Sequence, residues 1–180
     1  TTTTNSSSVT KVATINLVHT TTSGLKIGDD IDGNAGDNSG KSVSLSSDGN
    51  IVAIGGWKTT FGQVRVYQRD TTNNSVIPYG WTQLGDDIEG EAASDYSGHS
   101  VSLSSDGTII AIGAPNNNGS IGHVRVYQYD PSSPAETSQS SINFGPAGWK
   151  RLGHDIDGEA ANDECGYSVS LLSLIHISEP

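Results

Sequence analysis

Three acidic stretches of the chain share one spacing. Asp30-x-Asp32-Gly33, Asp87-x-Glu89-Gly90 and Asp155-x-Asp157-Gly158 recur, each followed by a further acid at Asp37, Asp95 or Asp163. The second and third stretches add Glu91 and Glu159. Carboxylates grouped in one loop are the oxygen ligands that calcium takes. So many like charges also repel one another unless a cation intervenes. The expected calcium ligands are Asp87, Glu89, Glu91 and Asp95 in one loop and Asp155, Asp157, Glu159 and Asp163 in the next. Asp87, Glu89 and Asp95 are then expected to converge within roughly 5 Å of a common point. The spacing is not that of an EF-hand, because Gly stands too early after the first Asp. The competing reading is a tight turn, in which Asp accepts backbone N–H bonds and Gly supplies the bend.

Other reactive constellations are missing. There is no HExxH and no Cys-x-x-Cys, the spacings that hold zinc. There is no Gly-x-Ser-x-Gly nucleophile elbow. Acids are plentiful enough for a pair of glycosidase carboxylates, but they recur as turn residues do. The expectation is a protein that is not an enzyme.

The elements that must position these residues repeat. Stretches beginning at Ile27, Leu84 and Leu152 are close copies, and the extra length of the second period lies in a Ser- and Pro-rich segment, residues 131–148. Within a period, four runs alternate apolar with polar side chains, as strands do. They fall at 42–46, 51–55, 63–68 and 80–84, and again at 100–104, 109–113, 123–128 and 148–152. Asp48-Gly49 and Asp106-Gly107 sit between the first two runs of each unit, a strong hairpin signal. No stretch has helical periodicity with caps. Four short antiparallel strands per repeated unit make a propeller blade, which buries its faces only against copies of itself. The expected fold is all-β: an incomplete β-propeller of about two four-stranded antiparallel blades, residues 41–88 and 99–156, with partial flanking blades. A β-sandwich is the alternative.

The repeat also separates scaffold from site. A residue present in every unit serves the fold, while one present in a single unit is free to do something else. Arg65 and Arg125 recur opposite the Val positions of their strands and are expected to pair with neighbouring acids. Trp81 and Trp149 recur after Gly and read as packing residues. The histidines do not recur: His99 aligns with Lys41 and Tyr167, His123 with Gln63, and His154 with Asp29 and Asp86. Cys165 stands before Gly, where the other units have Ser39 and Ser97, so no nucleophile is implied. Trp57 takes the place of Pro115 in a loop that varies between units. Variable loops on a fixed scaffold suit recognition. The candidate ligand contacts are therefore Trp57, Lys58, Phe61, Asn116 and Asn117.

The second unit reads Ser97-Gly98, then a Ser/Val strand over 100–103, Gly113-Ala114-Pro115, and Gly122-His123-Val124-Arg125-Val126-Tyr127. The first reads Ser39-Gly40, Gly55-Gly56-Trp57, and a Gly62–Tyr67 strand. This order resembles the FG-GAP repeat of integrin α-subunit propellers over about residues 25–171. The aromatic of the "FG" is replaced by Ser or, at Cys165-Gly166, by Cys, and the first hairpin lacks the family's calcium loop. The resemblance implies a propeller that binds a protein or carbohydrate ligand on one face. It points to a non-enzymatic interaction or adhesion module attached to further blades of the same parent protein. A propeller-type polysaccharide lyase or hydrolase is the alternative.

Composition bounds the rest. Hydrophobic residues are 33 % of the 180, beside 22 Gly, enough for a core. Nine Lys+Arg against 20 Asp+Glu leave a net charge of −11, which repels nucleic-acid phosphates. No apolar run reaches the ~18 residues of a membrane helix. One Cys excludes a disulfide framework. The chain has no Met and is expected to be a processed product or a piece of something longer. Residues 1–10 read as a Thr/Ser-rich linker, 11–171 as the propeller fragment, with 12–18 as a strand of a preceding blade. Residues 172–180 resemble a translated sequencing adapter, and are read as a non-native tail. Sequons at Asn5, Asn73 and Asn118, with the Thr/Ser tract and low Cys, favour an extracellular or cell-surface location.

Overall fold

The computed structural model of the chain describes residues 29–58, 60–70, 80–137 and 145–172. The linker, the 12–18 segment, the sequons at Asn5 and Asn73 and nearly all of the C-terminal tail lie outside the described residues.

The first sheet contains β1 (Ser39–Leu45), β2 (Ile51–Gly56), β3 (Gln63–Arg69), β4 (Trp81–Gln83) and β5 (Ile88–Glu89). The second contains β6 (Ser100–Leu103), β7 (Ile109–Ala114), β8 (His123–Tyr129), β9 (Trp149–Arg151) and β10 (Ile156–Asp157). Among the described residues all pairings of these strands are antiparallel, and no strand of one unit joins the sheet of the other. The only bridges between units there are isolated parallel ones, Gly62 with Ser97 and Gly122 with Cys165. Among the described residues the only helical segment is the single turn Asn117–Ser120, where Asn118 and Gly119 have left-handed angles. The described residues close neither a barrel nor a ring.

The sheets have five strands where four are expected. β5 and β10 are two residues long, too short for an alternation to register in the sequence. β4 pairs the C-terminal half of β3 and β5 its N-terminal end, so one broken strand fills the outer edge. Arg65, level with the break, bonds Asp87 across it.

The hairpins explain the Ser-Ser-Asp-Gly signature. Asp48 accepts hydrogen bonds from Ser46 Oγ (2.7 Å) and the Asn50 amide (3.0 Å). Asp106 does the same with Ser104 (2.6 Å) and Thr108 (3.0 Å). These bonds hold both carboxyls below the usual aspartate range. Gly49 and Gly107 take the positive φ that the turns require.

Each sheet has two unlike faces, because cross-strand partners share a side. On the first sheet Ser42, Gly55 and Val64 form one row and Ser44, Ala53 and Val66 the next. That small face meets a large one on the second sheet: Val101, Ile112 and Arg125, then Leu103, Ile110 and Tyr127, with Trp149 at the outer edge. The core cluster lies between them. Ser42 Oγ donates to the Gly98 carbonyl (2.8 Å), the Leu103 amide donates to Ser44 Oγ (2.9 Å), and the Trp149 indole donates to the Leu84 carbonyl (3.0 Å). The start of a third unit lies on the second sheet in the same way: Ser100 Oγ donates to the Gly166 carbonyl (2.8 Å), and the Leu171 amide to Ser102 Oγ (2.9 Å).

Candidate functional site

The β2–β3 connections and the loops that precede β6 and follow β10 meet at one end of the sheets. Antiparallel pairing puts them there, since Gln63 opposes both Gly56 and Glu89. Backbone bonds stitch them: Gly90 donates to Gly62 (3.1 Å), Gly158 to Gly122 (3.0 Å) and Cys165 to Ile121 (3.0 Å).

Most of the acids at this end are committed to the fold. Asp87 accepts from Arg65 Nε (2.9 Å) and from Gln83 Nε2 (2.7 Å). Asp95 accepts from the Ala92 amide (3.0 Å) and Asn117 Nδ2 (2.9 Å). Asp163 accepts from the Glu159 and Ala160 amides (2.9 and 2.8 Å), and Asp37 from Asn34 and Ser39 (2.7 and 2.8 Å). The amide bonds to Asp95, Asp163 and Asp37 are those of the turn reading, whereas Asp87 accepts from side chains instead. Glu89 and Asp157 lie on β5 and β10, and Glu159 follows β10; all three are exposed. Among the described residues no three acids of a single loop gather their oxygens, so Asp87, Glu89 and Asp95 do not share a point.

Among the described residues, the one group of potential metal ligands that does gather joins separate loops and strands. Ligand atoms of Glu91, His123 and Asp155 lie within 4.8 Å of one another. His123 Nδ1 is 4.0 Å from Glu91 and 3.8 Å from Asp155, too far for hydrogen bonds. Arg125 Nη2 contacts Glu91 Oε2 and lies 2.6 Å from Asp155 Oδ2, while Arg151 reaches the other Asp155 oxygen at 2.9 Å. A guanidinium thus fills the position between the carboxylates that a cation would take. Burial would raise the Glu91 and Asp155 carboxyls, but the hydrogen bonds they accept, from Asn117 and Arg125 on Glu91 and from Arg125 on Asp155, outweigh it and hold both below the ordinary range. Burial, aided by the Arg125 charge, pushes the His123 imidazole below its usual 6.5. Arg125 is held fully charged, its Asp155 and Glu91 bonds overcoming burial. The expected pairing of Arg65 and Arg125 with neighbouring acids is present. The first unit carries neutral residues at the matching places: Asn34, Gln63 and Gln83 stand for Glu91, His123 and Arg151.

Beside this network is a polar cleft of about 580 Å³ lined by Glu91, Asp95, Asn117, Asn118, Ile121 and Asp157 among others. Asn117 is buried, bridging Glu91 (2.8 Å) and Asp95 (2.9 Å), and Asn116 holds the Ser94 carbonyl (3.1 Å). Both therefore brace the loops. Lys58 and Phe61 are exposed on the matching loop of the first unit.

Trp57 starts an aromatic strip. Its ring meets Tyr96 edge-on at 4.5 Å and His99 at 6.3 Å, and His99 packs on Tyr167 at 4.8 Å. The strip crosses from the first unit to the third, and Tyr167 is 62 % exposed. Trp57 Nε1 and His99 Nδ1 are buried without a hydrogen-bond partner. None of these rings recurs as an aromatic in every unit: Tyr96 matches Asn38 and Glu164. Sequence reasoning singled out Trp57 alone. The signal for the others was the same departure from the repeat, beside the invariant Gly40, Gly98 and Gly166.

Searches against models of known protein families and against curated proteins found no match for this chain.

Proposed function

We propose that the chain is part of an FG-GAP-like β-propeller and serves as a non-enzymatic extracellular interaction module, binding a protein or glycan ligand at the loop end of its sheets. The observation that carries the reading is the aromatic strip of Trp57, Tyr96, His99 and Tyr167. Residues that the scaffold does not require converge from three units onto one surface. Amphipathic rings of this kind dominate recognition energies. The exposed Asn118, whose sequon lies on the lip of the adjoining cleft, supports an extracellular setting.

The test is a glycan array and a panel of immobilised extracellular proteins probed with the full chain, paired with a reducing-sugar assay. Binding without turnover is expected. Tyr167→Ala, an exposed and structurally mild change, should weaken that binding about tenfold or more. Sugar release would move the reading to a polysaccharide lyase or hydrolase. Binding that survives Tyr167→Ala and Trp57→Ala would remove the strip as its carrier.

A further inference from the structure

The two sheets meet small face to large face, and among the described residues this leaves one large face uncovered. Val101 and Leu103 are 8 % and 5 % exposed against the first sheet, while their counterparts Val43 and Leu45 on β1 are 55 % and 57 % exposed. Ile54, Tyr67 and Trp81 lie on that same open face of the first sheet. At the other end, the small face of the second sheet is covered along Ser100 and Ser102 by residues 166–171. That segment reads Gly-Tyr-Ser-Val-Ser-Leu, and residues 40–45 read Gly-Lys-Ser-Val-Ser-Leu.

We infer that this chain self-associates head to tail by strand exchange: β1 of a second copy replaces residues 166–171 on the second sheet of the first. The incoming strand makes the same two bonds, Ser100 Oγ to the Gly40 carbonyl and the Leu45 amide to Ser102 Oγ. These are the bonds that residues 166–171 now make and that β6 makes with the first sheet. The exchange is favoured because β1 arrives backed by its whole sheet. Residues 166–171 bring Val169 and Leu171, with Tyr167 on His99 and no described sheet behind them, whereas β1 brings Val43 and Leu45 with Ile54, Tyr67 and Trp81 behind them. The join is heterologous, so each copy keeps one free face and the assembly grows beyond a dimer unless its rotation closes a ring.

The identical Ser-Val-Ser-Leu motifs give the test. The mass of the full chain is followed by light scattering across a concentration series, with circular dichroism confirming that each variant keeps its β signal. The parent should start near 18.7 kDa and rise past twice that value. Val43→Asp with Leu45→Asp alters exposed side chains and should hold the mass at 18.7 kDa throughout. Val169→Asp with Leu171→Asp should do the opposite, freeing the seat and moving association to concentrations at least about tenfold lower. Exchange of the Leu171 amide with deuterium should quicken as the parent associates. A parent that stays monomeric at every concentration overturns the proposal, since its open face is then covered within the chain. So does an equal response of the two variants, which is the behaviour of non-specific aggregation.

Discussion

Gly55 and Gly113 occupy the same position of the two units and are hemmed in alike. A Cβ on Gly55 would run into the Gly98 carbonyl and Ser42 Oγ, and one on Gly113 into the Gly166 carbonyl and Ser100 Oγ. The neighbours differ in freedom: Gly98 leads into β6, whereas Gly166 leads into described residues that form no strand. Gly55→Ala should therefore cost about 1–3 kcal/mol, the usual toll of overpacking, and Gly113→Ala less, as read by denaturant midpoints. Equal costs would mean that residues 166–171 are held as firmly as β6. His123 gives a pH signature. Its folded pKa is depressed, so below the usual 6.5 the unfolded chain binds a proton that the folded chain resists. Stability is then lost as pH falls from 6.5 towards the lower folded value. His123→Gln, the residue standing at Gln63, removes that part of the slope. Thermal midpoints between about pH 7 and about pH 5 should fall further in the parent than in the variant. The depressed Glu91 and Asp155 carboxyls act later, their contribution being lost as pH falls through values below 4.5 and 3.8. Parallel slopes for parent and variant would place His123 outside the linkage.

Among the elements, the long strands are legible in the sequence, because alternation over five or more residues survives in both units. β5 and β10 are not, since two residues carry no period, and Ile88 next to acids and Gly reads as turn. The acidic loops show where residue type alone misleads. The recurring Asp87 and Asp155 balance arginines on the middle strands, and Asp95 and Asp163 cap their own loops. Repulsion among carboxylates is relieved by side chains distant in sequence, which a loop read by itself does not contain. Millimolar calcium should accordingly leave the thermal midpoint unchanged; a rise of several degrees would show an ion bound to the folded state that these bonds do not account for. Of the network around Arg125, the recurring Arg125 and Asp155 were legible as a pair, while Glu91, His123 and Arg151 read only as three unrelated departures from the first unit, because the members come together through β8, β9 and the loops flanking the sheet.

For the whole molecule, burial is decided by neighbours and not by residue identity. Val43-Ser44-Leu45 and Val101-Ser102-Leu103 are the same tripeptide, exposed in one sheet and enclosed in the other. Ile88 and Ile156 contrast likewise, the first buried and the second exposed. Nothing in the local sequence could separate the members of these pairs. The small-to-large stacking has a genetic consequence. Every unit offers its serines and glycines forward and its Val, Leu and Tyr backward. A tandem duplication or loss of one whole unit therefore leaves both flanking joints chemically intact, so the array can lengthen or shorten in one step without any compensating substitution.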